Sequence, residues 1–147
     1  MNSVTREVTI DAPRQKVWNV LADIGAVDQY SQNVENSSYV SANTSGLGAA
    51  RKCEIGGSSW LKEEAIAWQE NQGYTLQVTD GDGLGPLDTL LVAFELSDVP
   101  QGTKVSQTMT YNMKGPLRPI LNKLSGGQFR KAIDVNLNGL KTFVEAN

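Results

Sequence analysis

The chain has 147 residues, 39% of them hydrophobic and 20% charged, with a net charge of -3, the profile of a single globular domain. Sixteen acidic residues against thirteen basic ones leave no cationic excess to neutralise phosphates, so nucleic acid is not an expected partner. No histidine is present and Cys53 is the only cysteine, which excludes an imidazole base, a cysteine metal cluster and an intrachain disulfide.

Val4 to Ile10, "VTREVTI", alternates apolar and polar residues as a strand does. Asp11 and Pro13 then mark a helix start, and Val17, Val20, Leu21 and Ile24 recur with helical spacing up to Gly25. A short turn or second helix runs to about Tyr30. From residue 34 the period becomes two. Strands are expected over 34–43, 48–55, 60–69, 74–80, 88–97 and 103–113, separated by the turn signals "SGLG", "GGSS", "ENQG", "DGDGLGP" and "DVPQG". Strand following strand through short loops predicts an antiparallel meander. Ile133, Leu137, Leu140 and Val144 then place one apolar stripe on a long C-terminal helix. The order of elements predicts an α+β domain in which one sheet wraps one helix. No apolar run is long enough to span a membrane, and the N-terminus reads as a charged strand, so a cytoplasmic protein is expected.

"LSGGQ", Leu124 to Gln128, matches a nucleotide-binding pentapeptide, but the chain has no phosphate loop of the form G-x-x-x-x-G-K-[ST]. Ser125 and Gln128 have the spacing of a capping box, which predicts the start of the last helix there. The glycines between them allow "LRPILNKL" to hinge as a lid. "DGDGLG", Asp80 to Gly85, lacks the helix a phosphate loop opens and the distal ligands a calcium loop needs. It reads as a flexible loop at a cavity mouth. No metal site and no cofactor are expected.

Cross-strand pairing predicts which face looks inward. A four-residue "GGSS" loop sets Arg51 opposite Glu64 and Cys53 opposite Lys62, while a two-residue loop would set Arg51 against Lys62. The first register puts Arg51, Cys53, Ile55, Trp60, Lys62, Glu64, Ile66 and Trp68 on the inner face. The next hairpin sets Trp68, Ile66 and Glu64 beside Tyr74, Leu76 and Val78, and the last sets Leu90, Val92 and Phe94 opposite Tyr111, Met109 and Gln107, all on the same face, while Glu63 falls on the water side with Lys52, Glu54 and Gln77. An inward Arg51–Glu64 pair is either a structural ion pair closing a dry core or the polar anchor of a small-molecule pocket.

The stretches "VTIDAPRQKVWNVLADI", "GLGAARKCEI", "EEAIAWQEN", "GTKVSQTMTY" and "LNGLKTFVEA" together resemble the SRPBCC superfamily, which includes START domains, the birch-pollen allergen and polyketide cyclase/dehydrase-like proteins. The resemblance implies a helix-grip fold: a seven-stranded antiparallel sheet around a long C-terminal helix, with two short helices after the first strand. It also implies a hydrophobic cavity for a lipid, polyketide, quinone or similar molecule. Arg51, Glu64 and Trp68 match family positions, and Tyr30 stands where many members have tryptophan. The expected lining adds Tyr30, Leu121, Ile133 and Met113 to the inward residues Arg51, Glu64, Ile66, Trp68, Val78, Val92, Phe94, Gln107, Met109 and Tyr111.

Three functions fit. The first is a carrier or sensor of a small hydrophobic ligand, acting as monomer or homodimer. The second is a cyclase, dehydratase or aromatase that uses Glu64 as base with Arg51 or Tyr111 stabilising an oxyanion. The third is a partner-binding module with a vestigial cavity, which would expose Trp60, Trp68 and Tyr74 as a patch.

Overall fold

A computed structural model describes residues 2–147. Seven strands form one antiparallel sheet: β1 (Asn2–Ile10), β2 (Asn36–Tyr39), β3 (Ala50–Gly56), β4 (Ser59–Gln69), β5 (Gly73–Asp82), β6 (Leu87–Val99) and β7 (Gly102–Met113). Their order is β1-β7-β6-β5-β4-β3-β2, so the first two strands form the sheet's two edges. Helix α1 (Arg14–Leu21) and a 3₁₀ segment (Ile24–Gln29) connect them. Helix α2 (Arg118–Leu124) leads into α3 (Gly126–Ala146), which packs on β1, β7 and α1. This is the helix-grip arrangement.

The α3 stripe behaves as its spacing predicts: Ile133, Leu137, Leu140 and Val144 are all buried. Helix α1 stops at Leu21, before Gly25, and the buried Ile24 belongs to the 3₁₀ segment. Strand β2 is much shorter than expected, at four residues.

The largest departure is register. The β3–β4 turn is two residues, Gly57 and Ser58, rather than four; with Gly56 opposite Ser59 it starts in the expected phase, but a bulge at Ile55 shifts everything beyond it by one. Arg51 therefore faces Glu63, and Cys53 faces Leu61. A one-residue slip exchanges the faces of a strand, because side chains alternate with period two. A second bulge, at Ile66, cancels the slip on the far side, so Trp68 still pairs with Tyr74 as predicted. Between the two bulges the inner face of β4 carries Leu61, Glu63 and Ala65 rather than Lys62, Glu64 and Ile66. Lys52 and Lys62 do oppose each other, but on the outer face, where both ammonium groups lie over the Trp60 ring at 4.7 and 5.8 Å. The β6–β7 hairpin has no bulge in its middle, and Leu90, Val92 and Phe94 pair with Tyr111, Met109 and Gln107 as expected.

The helix junction also differs. Ser125 is helical itself, at φ -81° and ψ -13°, and makes no capping box. Its hydroxyl instead donates to the carbonyl of Leu121 at 2.6 Å, a back-bond of the kind that bends helices. α2 thus continues into α3 through a bend at Ser125.

Candidate functional site

The sheet, the 3₁₀ segment, α2 and the first turns of α3 enclose a cavity of about 730 Å³. That is within the usual range for a small-molecule site, roughly 300–1,000 Å³. Its walls are mostly apolar. Leu90, Val92 and Phe94 come from β6, and Met109 and Met113 from β7. Leu121 and Leu124 come from α2, with Phe129 and Ala132 from α3. Asp80 to Asp82, expected in a loop, complete β5, and Gly83 and Leu84 just after it line the cavity.

Two polar pairs interrupt the apolar wall. Arg51 Nε donates to Glu63 Oε1 at 3.0 Å, Nη2 lies 2.9 Å from the same oxygen, and Nη1 donates to the Ile24 carbonyl at 2.9 Å. Both side chains are almost entirely buried, with 7% and 6% exposure. Burial works against the Arg51 charge, but the Glu63 carboxylate together with Cys53, Tyr74 and Tyr30 outweighs it and holds the guanidinium pKa above its ordinary value. Cys53 lies beside the pair, its sulfur 4.0 Å from Glu63 Oε1, and burial pushes the thiol up to about 11. In the second pair, Asn136 Nδ2 on α3 donates to Gln107 Oε1 on β7 at 2.9 Å. This bond ties the helix to the floor of the sheet through two buried amides.

Of the sequence-predicted lining, Arg51, Val92, Phe94, Gln107, Met109, Met113 and Leu121 do line the cavity. The others have different positions. Glu64 is exposed on the outer face, opposite Gln77, and Ile66 sits at its bulge with 44% exposure, both displaced by the register slip. Trp68 stacks on Tyr74 and meets Trp18 edge-on, away from the cavity, and Glu70 accepts from both indole N–H groups. Val78, opposite Glu63 on β5, packs partly buried against the core and does not line the cavity. Ile133 is fully buried in the dry part of the core. Tyr30 is buried behind Arg51, and desolvation pushes its phenol up to about 12 although Arg51 pulls it down. Tyr111 stacks under Phe129 at 4.2 Å and donates to the Asn122 carbonyl at 3.2 Å, so it holds α2 rather than facing the cavity.

The sequence reading missed Glu63, whose face only the Ile55 bulge decides. It also missed Asn136, which did carry a signal: a polar residue one turn from Leu140 within the buried stripe of α3. α2, the segment expected as a lid, borders the cavity through Leu121 and Leu124. None of its residues is buried, and Asn122 fastens it to β7 by accepting from the Met113 N–H at 2.8 Å and donating to Asn112 at 3.0 Å.

A model of the family described as "Polyketide cyclase / dehydrase and lipid transport" matches residues 1–145. The chain belongs to that family. No curated protein matches it. Solved structures share the fold over nearly the whole of this family member. The protein XoxI from Bacillus cereus superposes with a TM-score of 0.81 at 12% identity, covering 98% of this chain and 96% of that one. TTHA0849 from Thermus thermophilus gives 0.80 at 22% identity, with 99% and 98% coverage. Ara h 8.0201 gives 0.76 at 19% identity, with 99% of both chains covered. Among the described residues, no helix of the family member is long and apolar enough to cross a membrane.

Proposed function

We propose that this protein carries or senses a small hydrophobic molecule held between the sheet and α3. The observation that supports this most is a cavity of about 730 Å³ with an apolar wall and few polar groups. An apolar wall of this extent left facing water forgoes burial worth roughly 25 cal/mol per Å². A ligand supplies that burial. Helix α2, with no buried residue and a bend at Ser125 behind it, is the element that moves to admit the ligand.

The enzyme alternative moves from Glu64, which faces water, to Glu63. Glu63 Oε1 already receives the Arg51 guanidinium, which favours a holding role over proton abstraction. The partner-module alternative loses its surface: Tyr74 is 3% exposed, so the three aromatics form no common patch.

The test is titration with an environment-sensitive apolar fluorophore. Wild-type protein should bind one equivalent, and Ala132→Phe, which fills the cavity from α3, should lose that binding while melting within a few degrees of wild type. Saturable binding that persists undiminished in a folded Ala132→Phe protein would place the dye elsewhere and overturn the assignment.

A further inference from the structure

Resting on that reading of the cavity, its charge content narrows the ligand. Arg51 and Glu63 are the only ionisable acids or bases of formal charge among the described lining residues. They neutralise each other at 2.9 Å, and Arg51 is further committed to the Ile24 carbonyl. The cavity therefore holds no uncompensated charge. Gln107 is different: its carbonyl accepts from Asn136, and it lines the cavity, where its amide N–H groups make no bond to another described residue and are not sealed away from the cavity. A ligand that displaces water there without supplying an acceptor leaves that donor unpaired, which is costly, whereas a ligand acceptor satisfies it.

We infer that the cavity selects neutral amphiphiles bearing a carbonyl or hydroxyl oxygen, placed to accept from Gln107, and discriminates against carboxylates. A carboxylate entering the cavity would bring an anion out of water to a place whose one cation is already paired, and would stand close to the Glu63 anion. Burying a charge without its own counter-ion is strongly unfavourable. An ester, ketone or alcohol of the same length brings no such penalty and keeps the same apolar contacts.

The experiment is competition against the bound fluorophore by three medium-chain compounds of one length: the methyl ester, the primary alcohol and the free carboxylate, above pH 7 where the acid is ionised. The ester and alcohol should displace the dye at concentrations at least about tenfold below the carboxylate, a difference of about 1.4 kcal/mol. Equal or better displacement by the carboxylate overturns this inference and leaves the carrier reading standing. Failure of all three compounds to displace overturns both. Glu63→Gln supplies the second arm. Removing the carboxylate leaves Arg51 uncompensated, so the variant should shift preference toward the carboxylate by about tenfold or more. An unchanged preference in folded Glu63→Gln overturns the assignment of selectivity to this pair. The wild-type comparison decides the main point whether or not that variant folds.

Discussion

Toward its C-terminus, α3 presents Leu137, Leu140 and Val144 to a core with almost no exposure, and Lys141 and Glu145 fasten it to the Thr9 carbonyl and the Asp11 N–H at the end of β1. Toward its N-terminus the same helix presents Phe129 and Ala132 to the cavity, and α2 in front of it has no fully buried residue. One helix thus serves two purposes at its two ends. The dry end holds the fold together through close packing, and the cavity end gives up packing to leave room. Mutations at the first end should act on stability, and those at the second on binding.

The largest expected effect is Leu140→Ala at the dry end, which should lower unfolding free energy by about 2–5 kcal/mol in denaturant titration. A loss below about 1 kcal/mol would show that this end is not tightly packed. Gly139→Ala should follow with a net loss of about 1–3 kcal/mol, as overpacking does. Helix propensity alone would make alanine better by about 1 kcal/mol. The added methyl, however, would overlap the Tyr30 carbonyl where the 3₁₀ segment meets α3. A stabilised Gly139→Ala protein would mean that this contact yields easily.

At the cavity end, Leu121→Ala should change stability by less than about 1 kcal/mol, since Leu121 is only half-buried. It should instead speed release of the fluorophore in stopped-flow measurements. Equal release rates would remove α2 from the path. Raising the pH offers a gentler probe of the Arg51 neighbourhood. Burial lifts Cys53 from 9.0 to about 11 and Tyr30 from 10.0 to about 12. Between those values the unfolded chain has lost protons that the folded chain retains, so stability should be full below pH 9, fall as pH rises, and be lost through about 11–12. A melting temperature flat from pH 8 to above 10 would contradict the burial of both groups. The smallest effect belongs to Glu64→Gln, within about 0.5 kcal/mol and without effect on dye affinity. Its contrast with Glu63→Gln tests the register of β4 directly.

That contrast also marks how far the sequence could be read. Element order, the α3 stripe and the β6–β7 pairing follow from periodicity and turn residues, because each depends on local pattern alone. The facing of β3 and β4 depends on whether Ile55 and Ile66 are paired or bulged. Nothing in an alternating strand announces an extra residue, since a bulge is fixed by how the whole sheet must curve around α3. Arg51 is legible as an inward residue because it precedes the bulge's effect on β4, while its partner lies one position from where alternation puts it. The capping box at Ser125 fails for a related reason: its spacing assumes a free helix start, and α2 supplies a preceding turn whose Leu121 carbonyl takes the hydroxyl.

Cys53 has one further use. It is the sole thiol of the chain, and it borders the cavity next to the Arg51–Glu63 pair. Its sulfur is buried and its thiol is held protonated, so alkylation of the folded protein should be slow and should report, by intact mass, how often this wall opens at one address only. A molecule that fills the cavity and holds the wall closed should slow that single mass shift further, an occupancy gauge without a dye and without altering a residue.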